Sequence, residues 1–392
     1  MRKTSGIFTV LLAAVWVTAC EPEQSNSPLT IRDSAGVRIV DIGSLSTDTA
    51  FEFGPPRFRV GWAQGHYSFS KIRDGVLLLG GKAALGDNGN GEIVVLGPFG
   101  EVEAVFGRWG QGPEEIGRLV SMKRLTGDTI VVEDDGNNRI SLFTEHGFER
   151  SYRIEDGVVA FDLRFLGLIG RTLIMTTGTY QPYFSEPWFK AVLVRHPLGT
   201  QQWDTIRFFD FARRIVENQT PNPFRPSGHA AVTAGEILVN RGDRPEVLRL
   251  DLEGRTHRII RWREDRRVLS DSIWKVFSDY RRGIETRRSE EQMRGLLADL
   301  RNAVMEPLPY SGELRGDDKG RVWVAEFSSD HRYPARYRVF DRDGLFLGWV
   351  PMPPRFQALD IRGDEVLGVL RDEFDVEAAA VFPLMSRSKG PT

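Results

Sequence analysis

The chain has 392 residues, a formal net charge of −2 and 41% hydrophobic residues, with a single cysteine. Near-neutrality gives no global basic field and argues against a nucleic-acid partner. One cysteine excludes an intramolecular disulfide, and the length is ample for a large core.

Met1, Arg2 and Lys3 form a short positive start, followed by an uncharged apolar run at 6–17. The run falls short of the about 20 residues that a membrane-spanning helix needs and fits a signal peptide. Val17-Thr18-Ala19-Cys20 resembles the bacterial lipobox, in which the cysteine is acylated and becomes the new N-terminus. The reading is a lipoprotein signal peptide at 1–19, with Cys20 as the lipidation site that carries a fatty acyl (palmitate) anchor. The lone cysteine sits where that chemistry needs it. Residues 20–30 read as the lipidated cysteine and a flexible polar tether. By resemblance to lipoprotein sorting in two-membrane bacteria, Glu21, a residue other than Asp after the cysteine, favours the outer membrane. Localisation in the cell envelope, periplasmic or surface-facing, is the expectation.

Beyond the tether, short apolar runs alternate with Gly, Asp and Asn turns. Val76–Leu79, Ile93–Leu96, Thr129–Val132, Glu236–Val239, Arg321–Ala325 and Glu365–Leu370 are examples. Their length and their Val, Ile and Trp content predict strands of a sandwich, barrel or propeller. Length alone suggests two domains, a prior that repeat folds break.

A repeat decides among these. Phe106-Gly-Arg-Trp-Gly-Gln-Gly-Pro-Glu-Glu-Ile116 is followed by Gly127-Asp-Thr-Ile-Val-Val-Glu-Asp134 and then by Asn138-Arg-Ile140, Phe143 and Gly147. Over 104–153 this resembles the NHL repeat and the related six-bladed β-propeller lipoproteins. Weaker copies begin at Gly235 and Asp318. Glycines recur at one turn, as Gly100, Gly147, Gly254 and Gly344, where a tight hairpin demands positive φ.

The resemblance implies an all-β, six-bladed β-propeller over 31–385, with a short tail at 386–392. Blades are expected at 58–106, 119–153, 159–208, 229–262 and 310–351. A sixth, from Phe356, would be closed by an N-terminal strand, Val37–Ile42, so that the tether leaves near the closure. Closure removes an exposed edge.

Two excursions interrupt the rhythm. Residues 263–309 carry helical spacing at Ile273, Phe277, Tyr280 and Ile284, and Ser289 with Gln292 forms a capping box. This predicts a helical insertion between blades four and five. Residues 209–228 read as a long Pro/Asn-rich loop. The orientation of the resembled propellers puts both excursions on one face, with the Gly-rich loop 107–118 and segments 80–91, 178–187 and 328–334. Tight turns would fill the other face. Such a division marks a scaffold that presents a site, and the helices are expected to cover part of the central channel.

No G-x-S-x-G, H-E-x-x-H or P-loop motif is present. The six histidines lack metal-ligand spacing; His229, where the long loop enters an inner strand, is the least ordinary. Asp87–Glu92 is acidic enough to suggest calcium, yet Asn-Gly pairs are ordinary turn formers. No metal ligand or cofactor is assigned, with calcium at that segment kept as the alternative. Asp134 is read as a turn-closing residue that bonds backbone amides. The ligand-binding candidates are Arg108, Glu114, Tyr180, Tyr183, Arg225, His229, Arg241, Trp274, Tyr280 and Arg281, because aromatic and arginine side chains favour binding hot spots.

The favoured reading is a membrane-anchored, non-catalytic propeller that binds a protein, peptide or glycan on its elaborated face. The alternative, from resemblance to some six-bladed propellers, is a metal-dependent, lactonase-like hydrolase or lyase with its site in the channel. Three or more converging Asp, Glu, Asn or His side chains would favour that alternative.

Overall fold

The computed structural model describes residues 29–61, 67–125, 127–154, 163–177, 188–200, 202–213, 224–304, 306–328 and 333–387. Four N-terminal strands come first: β1 (Leu29–Ser34), β2 (Val37–Ser44), β3 (Phe51–Phe53) and β4 (Phe58–Gly61). The first blade is β5 (Ile72–Leu77), β6 (Ala83–Asp87), β7 (Glu92–Leu96) and β8 (Val102–Phe106). The second is β9 (Leu119–Arg124), β10 (Ile130–Asp134), β11 (Arg139–Thr144) and β12 (Gly147–Arg153). The third is β13 (Arg164–Ile169), β14 (Thr172–Thr176), β15 (Trp188–Pro197) and β16 (Asp204–Arg213). The fourth is β17 (His229–Thr233), β18 (Glu236–Asn240), β19 (Glu246–Leu250) and β20 (Thr256–Arg263). Helices α1 (Asp271–Ile284) and α2 (Glu290–Asn302) follow. The fifth blade is β21 (Leu314–Gly316), β22 (Val322–Ala325), β23 (Arg336–Phe340) and β24 (Phe346–Pro351). The sixth begins with β25 (Phe356–Arg362), β26 (Glu365–Arg371) and β27 (Glu377–Ser386). The six sheets, each antiparallel within its blade, make the expected six-bladed propeller.

Each blade is buried on both faces, which is why its middle strands read as unbroken apolar runs. In β7, Ile93 and Val95 pack toward the second blade, while Val94 and Leu96 pack toward the sixth. Strand alternation divides one run between two cores. Six apolar clusters fill the six interfaces between neighbouring blades. Burying each such Val, Ile or Leu side chain is worth about 1.5–3 kcal/mol. The repeated turn glycines behave as their position requires: Gly100, Gly254 and Gly344 have φ of 90°, 78° and 88°.

The ring is closed by an N-terminal strand, but by β4 rather than by Val37–Ile42. β4 pairs antiparallel with β27, Val60 opposite Ala379. Phe58–Gly61, expected in the first blade, therefore belongs to the sixth. β2 instead runs parallel to β20 on the outer edge of the fourth blade, Val40 beside Ile260. Both N-terminal segments are apolar enough for either edge. Chain continuity decides, because β4 lies directly before the first blade and so reaches the adjacent sixth. Between these strands the chain crosses the fifth blade, where the Ala50 amide donates to Trp349 O (2.7 Å) and Trp349 Nε1 to Ser46 O (2.9 Å). The segment is thus a strap across three blades. Leu29 and Thr30, expected in the tether, already belong to β1, so the described chain begins at the edge of the fourth blade rather than at the closure. Likewise 209–213, expected as loop, continues β16.

The insertion is the expected helical pair. Ser289 and Gln292 cap α2 reciprocally, and Ser270 caps α1. Phe277, Met293, Leu297 and Leu300 close over Phe224, from the segment before β17, and beside Phe327, after β22. Those two anchors place the helices on the face of the long loops, over blades four and five.

Candidate ligand-binding site at the channel mouth

Six inner strands surround a central cavity of about 520 Å³, to which Val76, Met122, Phe165, Thr233, Arg315 and Asp360 contribute one from each. Its wall is charged and internally paired. Asp74 accepts from Lys123 Nζ (2.9 Å), Ser121 Oγ (3.0 Å) and the Met122 amide (2.8 Å). Asp360 accepts from the Leu77 amide at 2.8 Å, and burial holds its carboxyl above the usual range. Behind the wall, Glu133 is 2% exposed and burial pushes its carboxyl up to about 7.

A second cavity of about 400 Å³ opens on the loop face, and Glu313 borders both. Glu313 stands just before β21. It accepts from Arg315 Nε (3.1 Å) and Nη2 (3.3 Å) and from the Tyr337 hydroxyl. Burial pushes its carboxyl up, but Arg315 and Tyr337 outweigh burial and leave it below the usual carboxylate range. The loop-face cavity takes residues from the start of three inner strands and from the loops above them: Arg225, His229, Phe327, Tyr333 and Gln357 are among them. Its other carboxylate, Glu326, is held by Arg267 Nη2 (2.6 Å) and by Arg336 Nε (2.8 Å) and Nη2 (3.0 Å). Burial acts to raise the Glu326 pKa, yet the two arginines draw it down to about 2.

Of the sequence candidates, Arg225 and His229 line this cavity. The others lie elsewhere or outside the described residues. Arg241 bonds Asp210 (3.1 Å) and Asp243 (3.0 Å) and lies over the Trp188 ring. Trp274 packs on Phe224 and Phe277 under Arg301, Arg281 pairs with Glu285, and Tyr280 is half-buried on the same helix. No residue of α1 or α2 lines the loop-face cavity; the helices flank it, and Phe327 belongs both to their core and to the cavity wall. They stand beside the channel mouth rather than across it. Arg108 is exposed and pairs with Glu115 (2.8 Å), and Glu114 is exposed, both in the loop entering the second blade. Tyr180, Tyr183 and Cys20 lie outside the described residues.

The acidic turns resolve into backbone chemistry. Asp134 accepts from the Gly117 (3.0 Å) and Arg118 (2.9 Å) amides, Asn137 Nδ2 (2.7 Å) and Arg139 Nε (3.2 Å), the turn-closing role read for it. Asp87, in the segment considered for calcium, repeats the arrangement one blade earlier with the Ser70 (2.8 Å), Lys71 (2.8 Å) and Gly89 (2.9 Å) amides. Among the described residues, no group of three or more His, Cys, Asp or Glu is placed to hold a metal ion.

Sequence reasoning missed Glu313, Tyr333, Gln357 and the Arg371 beneath them. Glu313 and Gln357 stand at inner-strand starts, Arg371 ends a second strand and Tyr333 lies between a second and a third strand, so only the blade assignment, and no local motif, could have pointed to them.

No protein-family model matches the chain, and no curated protein matches it. Some solved structures are similar to it. A Bacteroides fragilis protein whose export is inferred has a TM-score of 0.50 at 9% identity, over 89% of this chain and 100% of that one. A Bacteroides vulgatus protein of the DUF4221 family has 0.49 at 9% identity, over 78% and 90%. The calcium-binding protein regucalcin from Agrobacterium tumefaciens has 0.40 at 11% identity, over 87% and 97%. At such identities the likeness is one of architecture, and function has to come from the site. This chain is a six-bladed β-propeller.

Proposed function

We propose that this chain is a lipid-anchored propeller of the cell envelope, with the outer membrane favoured, and that it binds a protein, peptide or glycan ligand at its loop face without catalysing a reaction. The observation that carries the reading is the loop-face cavity: two helices, the segment before β17 and the segment after β22 converge around it. Ligand sites favour concave, largely preformed pockets of this size with a few convergent polar groups. The rival reading, a metal-dependent hydrolase or lyase in the channel, needs converging free ligands. Asp74, Glu313 and Asp360 are instead engaged by Lys123, Arg315 and the Leu77 amide.

The test is recovery of the protein from its own envelope with whatever it retains. Gly312 borders the cavity, and a Cβ there meets nothing nearer than Ala325 Cβ at 3.4 Å and Glu326 O at 3.7 Å, so Gly312→Trp fills the space. Asp343→Trp on the opposite face is the control. The ligand should stay with the wild type and the control and be lost from Gly312→Trp. Equal retention by all three refutes the site. Cys20→Ser should release the protein from the membrane fraction; continued sedimentation with the membrane contradicts the anchor.

A further inference from the structure

The polar groups of the loop-face cavity are not balanced between donors and acceptors. Both carboxylates on its wall are committed, Glu326 to two arginines and Glu313 to Arg315 and Tyr337. Arg371 Nη1, from the end of β26, donates to Tyr333 Oη (3.1 Å) and to Gln357 Oε1 (3.2 Å). An arginine can only donate, so this pair of bonds fixes the orientation of both partners. The Tyr333 hydroxyl proton and the Gln357 amide protons are thereby left to be offered, on a wall that also carries the hydroxyls of Ser227, Ser311 and Ser328. The charge of Arg371 is itself met by Glu377, at 2.6 Å from Nη2.

Arg225 completes the set. It is half-buried on the cavity wall, and among the described residues no carboxylate pairs with it. A guanidinium drawn out of water without a partner is unfavourable unless something supplies the negative charge. The remaining wall combines apolar Pro309, Ala325, Phe327, Pro334 and Ala358 with Ser227, His229, Ser311 and Ser328.

On the reading of the loop face as a binding site, we propose that this cavity captures the terminal carboxylate of a peptide chain, with Arg225 as its ion-pair partner and Tyr333 and Gln357 as further donors. A single cation that no carboxylate meets among the described residues matches a monoanion. The planar fork of arginine suits a carboxylate, and terminal-carboxylate capture is a recurring mode of peptide recognition. Pro309, Ala325, Phe327, Pro334 and Ala358 offer the last side chains of a peptide apolar surface to cover, from which the hydroxylated ring of a uronic acid gains less.

The experiment is calorimetric titration of the purified full chain with tri-alanine, tri-alanine amide, galacturonate and inorganic phosphate at constant ionic strength. Tri-alanine should bind saturably, and the amide about tenfold more weakly or worse. Galacturonate and phosphate should bind more weakly than tri-alanine. Arg225→Gln should abolish the preference for acid over amide, and Arg294→Gln, on the outer side of α2, should leave it intact. No saturable binding of tri-alanine, equal binding of acid and amide, an unchanged preference in Arg225→Gln, or tighter binding of galacturonate or phosphate would each overturn the proposal. The two readings fail separately. If the envelope ligand is lost from Gly312→Trp but kept by Arg225→Gln, the loop-face site stands and the carboxylate does not. If both variants keep it, both readings fall.

Discussion

Replacing Glu133 by Gln should change the pH dependence of stability in a calculable way. The carboxyl is 2% exposed, and burial moves it to about 7 from an ordinary 4.5. A raised carboxyl pKa means that the folded state holds its proton where the unfolded chain has released it. Stability from this group is therefore present below about pH 4.5 and falls as pH rises through about 7. Each pH unit across that interval removes about 1.4 kcal/mol, so the loss at pH 5 is about 1 kcal/mol and at pH 8 about 3 kcal/mol. Glutamine keeps an oxygen for the Phe165 amide, which donates to Glu133 at 3.3 Å, and does not titrate. Guanidinium unfolding of wild type and Glu133→Gln at both pH values isolates the effect. The variant should gain on the wild type by about 2.5 kcal/mol between pH 5 and pH 8. A stability difference that is the same at both pH values refutes the reasoning.

Three further outcomes follow from the packing. Arg338 is fully buried between the Trp262 and Trp349 rings and holds Glu264 at 2.6 and 2.7 Å, so Glu264→Ala should destabilise by about 3–5 kcal/mol in chemical denaturation. Asp134→Ala, which strands two backbone amides, should lower stability by about 2–3 kcal/mol, and Asp134→Asn should restore part of it. Gly61 leaves room for no side chain, since a Cβ would lie 2.9 Å from Ala378 Cβ and Glu377 O. Gly61→Val should therefore loosen the closing strand and cost about 1–3 kcal/mol, read as faster amide exchange in β27.

The architecture was legible because the blades are a repeat. Positions such as Asp134 and Asp87, or Gly100 and Gly344, do the same work in different blades, so one well-formed copy predicts the others. The closure was only half legible. Val37–Ile42 and Phe58–Gly61 are equally strand-like, and the choice between them depends on which edge the chain reaches, a fact of connectivity rather than composition. The site was least legible. Aromatic residues and arginines in the insertion were read as ligand contacts, but Trp274 and Arg281 serve the helices themselves. Glu313, Tyr333, Gln357 and Arg371 are scattered over 59 positions (371 − 313 + 1) and meet only because blades five and six are neighbours. No local spacing encodes that meeting.

On the proposed function, the protein holds its ligand on the loop face, in the cavity beside α1 and α2. A photo-crosslinking amino acid at Pro334 on the cavity wall, compared with one at Asp343 on the face of tight turns, tests it in the intact envelope. A discrete crosslinked product is expected from position 334, lost when Gly312→Trp is added, and none from position 343. Crosslinking from position 343 alone, or from 334 regardless of Gly312→Trp, would contradict it.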